Sequence, residues 1–419
     1  MSEFHYVHND LYCEGIKVST VSQAVGTPFY LYSHRALVNQ YRKIQKALTQ
    51  IHPLICFAMK SNDNLAVIKT MVDLGAGFDI VSIGELKKAL RAKADPQRIV
   101  FASVGKTEEE IIYALKTGIL LFNVESLPEL KAIQRIAHRL GKIAPVALRI
   151  NPEVAAPTHD FIATGTLENK FGLDLSTARN ILKNLRAYPQ IAMKGIHIHI
   201  GSQITDIEPF VKAIKKALHF IRALRQEGIS LKYFNMGGGM GIAYKKEKPF
   251  NIQAFARCIV PLLEKTGLSL IMEPGRYIVG HAGIFVTKVL YVKNNGLKKF
   301  LIVDGGMNDL IRPTLYHAYH EIVPLKKRRT TKDIFDVVGP ICESGDFFAR
   351  NRRLPVMKAG DLLAVMTAGA YGYVMSSHYN VRGRVPEVLV KGRRFAVTRK
   401  RETFSDLVRG ETIPQFLKS

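Results

Sequence analysis

From about residue 34 to residue 275 the sequence repeats one theme: an amphipathic segment of helical period, then a short apolar run that ends in polar or glycine residues. The apolar runs are Leu54–Lys60, Phe78–Ser82, Ile99–Ser103, Leu120–Val124, Val146–Asn151, Gly195–Gly201, Lys232–Gly239 and Leu268–Gly275. Strands separated by helices pair in parallel, because the helix is the crossover that carries the chain back to the start of the sheet. Eight such units over about 240 residues predict a (β/α)8, TIM-like barrel. A doubly wound open sheet is the alternative, but it has fewer strands and a nucleotide fingerprint after the first one, which is missing here. Strand ends in a barrel share one mouth. The polar residues ending these runs are Lys60, Asp79 with Ser82, Ser103, Asn123 with Glu125, Arg149 with Asn151, His197 with His199, Asn235, and Glu273.

From about Gly283 onward β-branched segments of strand length follow one another without regular helices: Ile284–Val292, Phe300–Val303, Ile334–Val338, Asp361–Met366 and Glu387–Thr398. They predict a C-terminal antiparallel β domain, with a hairpin turn at Val390-Lys391-Gly392-Arg393. Thr27-Pro28-Phe29-Tyr30-Leu31-Tyr32 is another extended apolar segment, ahead of the first barrel helix. The expected division is therefore a barrel over 34–275 and a β-rich domain made of 1–33 with 276–419, in keeping with a chain too long for one core.

Sixty Lys and Arg against thirty-five Asp and Glu give a formal charge of +25, which raises the question of an anionic partner. The clusters are dispersed: Lys212-Lys215-Lys216, Lys245-Lys246-Lys248, Lys326-Lys327-Arg328-Arg329, Arg350-Arg352-Arg353, and Arg393-Arg394 with Arg399-Lys400-Arg401. No zinc-finger or RNP signature accompanies them, so they read as solvated surface, with no specific nucleic acid expected. Cys13, Cys56, Cys258 and Cys342 are far apart and read as free thiols, each most simply a small apolar residue. No apolar run approaches the length of a membrane span, and Met1-Ser2-Glu3-Phe4-His5-Tyr6 has no signal-peptide character, so no membrane partner and a cytoplasmic location are expected.

Several strand ends carry chemistry. Lys60, in Phe57-Ala58-Met59-Lys60-Ser61-Asn62, would face a partly desolvated mouth, where an amine loses its proton more readily and can form an imine; alone, it also reads as an ordinary strand-end lysine. Asn235-Met236-Gly237-Gly238-Gly239-Met240-Gly241 follows the seventh run, where barrels often bind phosphate with bare backbone amides. A flexible turn is the other reading. Glu273-Pro274-Gly275-Arg276 ends the eighth run beside that loop. Arg276 suits a phosphate or a carboxylate, and Glu273 suits holding a proton on a pyridine nitrogen, unless the two form an internal salt bridge. His197 and His199 are two apart and share a side; one could stack on an aromatic cofactor, or both could be core residues. A metal site competes, but no Cys or acidic ligand is spaced nearby to complete it, so no metal is expected.

Taken together these motifs resemble the fold-type III decarboxylases that depend on pyridoxal 5′-phosphate (PLP), and within them the diaminopimelate-specific branch. The resemblance spans nearly the whole chain. It runs from Ala58–Asn62 and Gly77–Leu86 through Arg149–Pro152, Lys170-Phe171-Gly172, His197–Gln203, Gly237–Gly239 and Glu273–Arg276. It continues through Asp304–Asp309, Arg312-Pro313-Thr314-Leu315-Tyr316, Gly339–Asp346 and Gly369–Tyr373. What it implies is an alanine-racemase-like architecture, with PLP bound as a Schiff base to Lys60, His199 stacked on the ring and Glu273 at the ring nitrogen. Gly239 and Ser202, with the main chain around Arg276, would hold the phosphate. Asp79, Gly237, Gly238, Pro274, Gly275 and Tyr371 would complete the cofactor site. Arg276, Arg312, Tyr316, Glu343 and Tyr371 would bind the substrate, and Cys342 would donate a proton, which displaces the plain reading of that cysteine. The resemblance also implies a homodimer in which Cys342 and Glu343 serve the partner's site. Three positions depart from the family's pattern: Ser61 where alanine is common, Asn235 where aspartate is common, and Gly383 where proline often separates Arg382 and Arg384.

The expected reaction is decarboxylation of meso-2,6-diaminopimelate to L-lysine and CO2, the last step of lysine biosynthesis. Its substrate carries a distal amine and carboxylate that suit Arg276, Arg312 and Glu343 together. Ornithine has no distal carboxylate, so arginines facing it would be desolvated without partners, at about 1 to 3 kcal/mol each. Another basic amino acid or carboxynorspermidine on the same scaffold is the first alternative. Glu273 argues against a racemase, which would carry a basic residue at the ring nitrogen. A non-catalytic PLP-binding barrel would not need the second domain, and a cationic nucleic-acid-binding protein is the most distant reading.

Overall fold

In a computed structural model of the chain, the structure describes residues 3–154, 170–245, 247–328 and 330–418; Lys246 and Arg329 of the basic clusters lie outside the described residues. The chain divides into two compact units, Leu37–Val279 and Met1–Ala36 with Gly280–Ser419.

The first unit is a closed barrel of eight parallel strands: Leu54–Ala58, Gly77–Ile80, Ile99–Phe101, Leu121–Val124, Ala144–Arg149, Ile191–His197, Tyr233–Asn235 and Ser269–Met272. The eighth strand pairs with the first through Ile271 opposite Leu54, which closes the ring. Strands buried on both faces need helices outside, and the sequence starts those helices with caps. Ser82 Oγ accepts the Glu85 N–H at the head of Ile83–Arg91, Thr107 forms a capping box with Glu110, and Ser126 caps Leu127–Arg139. Several strands are shorter than their apolar runs, because the terminal residues turn out of the sheet. Ser82 caps the helix that follows the second strand, and Lys60 sits in a single 3-10 turn, Met59–Ser61, just past the first strand.

Inside the barrel lies an apolar layer of Cys56, Val100, Leu121, Ala147 and Ile271, with Tyr233 packed against it. Side chains two apart on a strand share a face. Leu121 and Asn123, Ala147 and Arg149, Tyr233 and Asn235, and Ile271 and Glu273 are such pairs, so a polar layer sits one step above the apolar one. Period-two alternation inside each strand is what lifts the chemistry to the mouth.

The second unit is a nine-stranded sheet. Its path runs Phe347–Pro355, Lys332–Val338, Lys299–Val303, Gly283–Asn294, Phe29–Ser33, Glu387–Lys391 and Arg394–Arg399, with Leu362–Val365 and Ile322–Pro324 paired off it. Phe29–Ser33 lies between Gly283–Asn294 and Glu387–Lys391 and is buried on both faces. Tyr30, Tyr32 and Phe285 enter one core; Phe29, Leu31, Ile284 and Val286 enter the other. The sheet is mostly antiparallel, but Lys299–Val303 with Lys332–Val338 and Phe29–Ser33 with Glu387–Lys391 are parallel pairs, which strand patterns alone do not show. Phe347–Pro355 was not anticipated, since its arginines read as solvated surface; it is an edge strand, where charge is tolerated. A small three-stranded sheet over Phe4–Val7, Asp10–Cys13 and Ile16–Lys17 was likewise unforeseen.

Ile271 is fully buried beneath the polar layer. Replacing it with alanine is expected to cost about 2 to 5 kcal/mol, through lost transfer energy plus the cavity left behind. The measurement is the urea midpoint, which should fall with an unchanged slope.

Candidate active site

The turn carrying Lys60 is fixed from both sides. Ser61 Oγ donates to Ala58 O at 2.7 Å, and the Ala58 N–H donates to Pro274 O at 3.2 Å, joining the ends of the first and eighth strands. Gly275 packs here as well; a Cβ on it would come within 2.9 Å of Ser61 Oγ. Lys60 Nζ meets Asp79 Oδ2 at 2.6 Å, with the lysine side chain 35% exposed and the aspartate wholly buried. Asp79 Oδ1 is buried without a hydrogen-bond partner among the described residues. Burial, reinforced by the Glu273 charge, pushes the Asp79 carboxyl up to about 7 against the pull of Lys60. It can therefore take or return the lysine's proton near neutrality. Burial also pushes Glu85 up to about 7, although Oε2 accepts the Val81 N–H at 2.7 Å.

Glu273 follows the eighth strand and is wrapped in donors. Its Oε1 accepts from Asn123 Nδ2 at 3.0 Å and from Asn235 Nδ2 at 2.6 Å. His197 Nε2 lies 3.3 Å from Oε2, a close contact off the hydrogen-bond direction. Burial alone would raise this carboxyl, but His197, Lys60 and the Asn235 amide outweigh it and hold the group well below the usual carboxylate range. Asn235 also accepts the Gly237 N–H on Oδ1, which fixes the amide so that Nδ2 faces Glu273. An aspartate, when ionised, would have no such donor to offer. The departure from the family's pattern at this position thus supplies a hydrogen bond.

The glycine loop is shaped by exclusion. A Cβ on Gly237 would fall 2.4 Å from Ile198 O, on Gly238 2.1 Å from Glu273 O, and on Gly239 2.3 Å from Gly201 O. The loop lies against the ends of the sixth and eighth strands with no room for side chains. The Gly238 N–H donates to His199 Nδ1 at 3.2 Å, so the imidazole carries its hydrogen on Nε2. Burial, followed by the charges of Arg149 and Lys60, holds His199 well below its ordinary value, and it stays neutral. Arg276 is buried beside the loop; Nη2 donates to Ser202 Oγ at 3.3 Å and Nη1 to Tyr244 Oη at 2.7 Å. The alternative reading, an internal Glu273–Arg276 salt bridge, is not seen among the described residues; each has the other partners just named.

At and just past other strand ends stand further buried charges that the sequence only hinted at. Arg149 Nη1 donates to Glu125 Oε2 at 2.8 Å, and its guanidinium lies 4.7 Å from the Phe171 ring. The wholly buried Lys106 Nζ donates to Ser103 O, Asn123 O and Glu129 Oε1. Lys106 is missed by sequence reasoning because a lysine in a loop reads as solvated.

The remaining candidates belong to the second unit. Arg312 is buried at the start of the short helix Arg312–Tyr316 and lies over the Tyr316 ring at 5.8 Å. Tyr371 is half-buried at a left-handed φ of 54°. Cys342 and Glu343 are exposed, on a loop that Asp346 pins by accepting the Met307 and Ile341 N–H groups at 2.7 and 2.6 Å. Asn380 Nδ2 donates to Cys342 Sγ at 3.2 Å, while its Oδ1 accepts the Cys342 N–H at 3.2 Å. Asn380 lies 38 residues away in sequence, and nothing local marks it.

The pattern of the family described as "Pyridoxal-dependent decarboxylase, pyridoxal binding domain" matches residues 34–280. The chain is 45% identical to the diaminopimelate decarboxylase of Pseudomonas aeruginosa over 413 residues, 99% of each chain. Among solved structures, the diaminopimelate decarboxylase of Helicobacter pylori complexed with L-lysine superposes with a TM-score of 0.91 at 41% identity, covering 94% of this chain and 98% of that one. That of M. jannaschii in co-complex with L-lysine gives 0.94 at 36% identity, covering 99% and 98%. With this fold, this barrel mouth and this likeness over full length, the chain belongs to the diaminopimelate decarboxylase family of pyridoxal-dependent decarboxylases.

Proposed function

We propose that the chain decarboxylates meso-2,6-diaminopimelate to L-lysine and CO2 with PLP held at the barrel mouth. The observation that carries this reading is a buried carboxylate, Glu273, kept ionised at the mouth that also holds Lys60 against Asp79. The residues fit the cofactor in three respects. Glu273 matches a protonated pyridine nitrogen, the unpartnered Asp79 Oδ1 marks a polar site built for more than its protein contacts, and the glycine loop offers backbone that no side chain obstructs.

PLP bound there supplies an electron sink for the pair left behind when CO2 departs. The chain's residues do the rest. Asp79 Oδ2 takes the proton from Lys60 Nζ, so the amine is free to bond to carbon. Glu273 holds a proton at the ring nitrogen by remaining charged itself. His199, fixed as the Nε2–H tautomer, is a flat neutral surface for an aromatic ring. Ser202, Gly239 and the main chain at Arg276 bind the phosphate. Arg276, Arg312, Tyr316 and Tyr371 are assigned to substrate, and Cys342 donates the proton that replaces CO2. We assign Cys342 and Glu343 to the site of a second copy in a homodimer, a reading supported by their exposure on a pinned loop.

Borohydride reduction of the loaded enzyme is expected to leave a pyridoxyl label on Lys60, read by peptide mass; a label on any other lysine sinks the assignment. CO2 release should be fastest from meso-diaminopimelate when it is offered beside ornithine, arginine, lysine and carboxynorspermidine. Preference for a competitor refutes the substrate while leaving the chemistry standing. A third outcome concerns Asp79. Its folded value of about 7 lies above the ordinary 3.8, so folding takes up a proton between those limits. Its contribution to stability is complete below about 4 and is lost as pH rises through about 7. In cofactor-free protein, Asp79→Asn should flatten the fall of the denaturation midpoint across that window.

A further inference from the structure

His320 is fully buried and makes no contact with solvent. Its Nδ1 lies 2.9 Å from Met366 O, an atom that can only accept, so Nδ1 carries a hydrogen. Its Nε2 receives Arg312 Nε at 3.4 Å, a group that can only donate, so Nε2 is bare. The two contacts together fix one neutral tautomer and leave the ring no alternative orientation. The main chain around it is fixed as well. The Met366 N–H donates to Glu321 O at 2.8 Å, and Arg352 Nη1 donates to His320 O at 2.9 Å while lying 4.2 Å from the Tyr319 ring. Met366 directly follows the strand Leu362–Val365, which pairs with the central strand Gly283–Asn294. An unbroken path therefore runs from the middle of the sheet through Met366 and His320 to Arg312.

We infer that His320 is a positioning residue that sets the direction in which Arg312 presents its guanidinium to a substrate carboxylate. The inference rests on the reading of Arg312 as a ligand for the substrate's distal end. Its physical basis is the planarity of the guanidinium: the Nε–H lies in the plane of the two terminal NH2 groups, so whatever holds Nε also aims the fork. His320 holds that edge, and the Tyr316 ring lies against the group at 5.8 Å. Arg312 is buried, so a misdirected fork could not recover its hydrogen bonds from water. Bidentate recognition tolerates only about 10 to 20° of misalignment, so loss of the edge contact should read as lost affinity for carboxylate.

The test compares L-lysine, which has a carboxylate, with cadaverine, the same chain without one. Both are titrated calorimetrically into loaded enzyme, and KM and kcat are measured for meso-diaminopimelate. His320→Ala removes the ring. His320→Asn keeps a donor near Nδ1 for Met366 but withdraws the acceptor from Arg312, and serves where the alanine variant fails to fold. Either is expected to weaken lysine about tenfold, leave cadaverine within about twofold, and raise KM while kcat changes little. His320→Gln, whose amide oxygen falls near the Nε2 position, should restore most of the loss. The inference is overturned if the folded variants weaken both ligands equally, or neither. Arg312→Ala separates the two levels. If it leaves the lysine-to-cadaverine ratio unchanged, the reading of Arg312 itself fails. If it collapses that ratio while the His320 variants preserve it, only the positioning role falls.

Discussion

A single charge sealed inside a closed barrel sets the terms for this molecule. Moving a carboxylate out of water costs several kcal/mol after relaxation, and only well-placed donors offset it. Glu273 meets that condition through the amides of Asn123 and Asn235, with His197 close by at 3.3 Å, and the three stand on three different strands. The donors hold their places because the strands are closed into a ring at fixed register, and the ring in turn stands on the apolar layer beneath. Stability and chemistry meet in one arrangement. Weakening the plug beneath the mouth would loosen the groups that keep the charge tolerable.

The same electrostatic setting divides labour among neighbouring acids. Glu273 is held charged while the buried Asp79 and the half-buried Glu85 are driven the other way. The difference follows from the donors each receives. Glu273 accepts two amide N–H groups on one oxygen, whereas Asp79 has one charged partner and an unsatisfied oxygen. Carboxyls whose environments push them apart in this way can take separate roles, one as a fixed counter-charge and the other as a proton acceptor.

The sequence made the barrel legible because both periods, two in the strands and 3.6 in the helices, are strong and repeat eight times. It also gave the address of most candidate groups, since Lys60, Asp79, His199, the glycines and Glu273 all lie at or just beyond strand ends. What it could not show were the partners. The pairing of Lys60 with Asp79, or of Asn235 with Glu273, depends on which strands adjoin in space. Lys106 and His320 look like surface residues until the fold buries them. In the second unit, the parallel pairs and the arginine-rich edge strand escaped because pairing direction and edge position leave no local pattern. Asn235, first visible only as a departure from the family, acquired a physical reason once its amide was seen to bridge Gly237 and Glu273.

Phe29–Ser33 lies between strands that arise more than two hundred residues later in the chain. During synthesis this segment leaves the ribosome early and must wait, with its aromatic side chains unsheltered, until Gly283–Asn294 and then Glu387–Lys391 have been made. The whole barrel is translated in the interval. The order of folding is therefore imposed by connectivity: the inserted barrel can complete its ring first, and the sheet of the second unit is sealed last, by contacts of very high sequence separation, which are slow to find. A chain interrupted between Asn294 and Glu387 would retain the barrel sequence intact and yet leave one edge of the apolar strand Phe29–Ser33 unpaired. Premature termination should thus lead to aggregation through the second unit rather than to a soluble fragment.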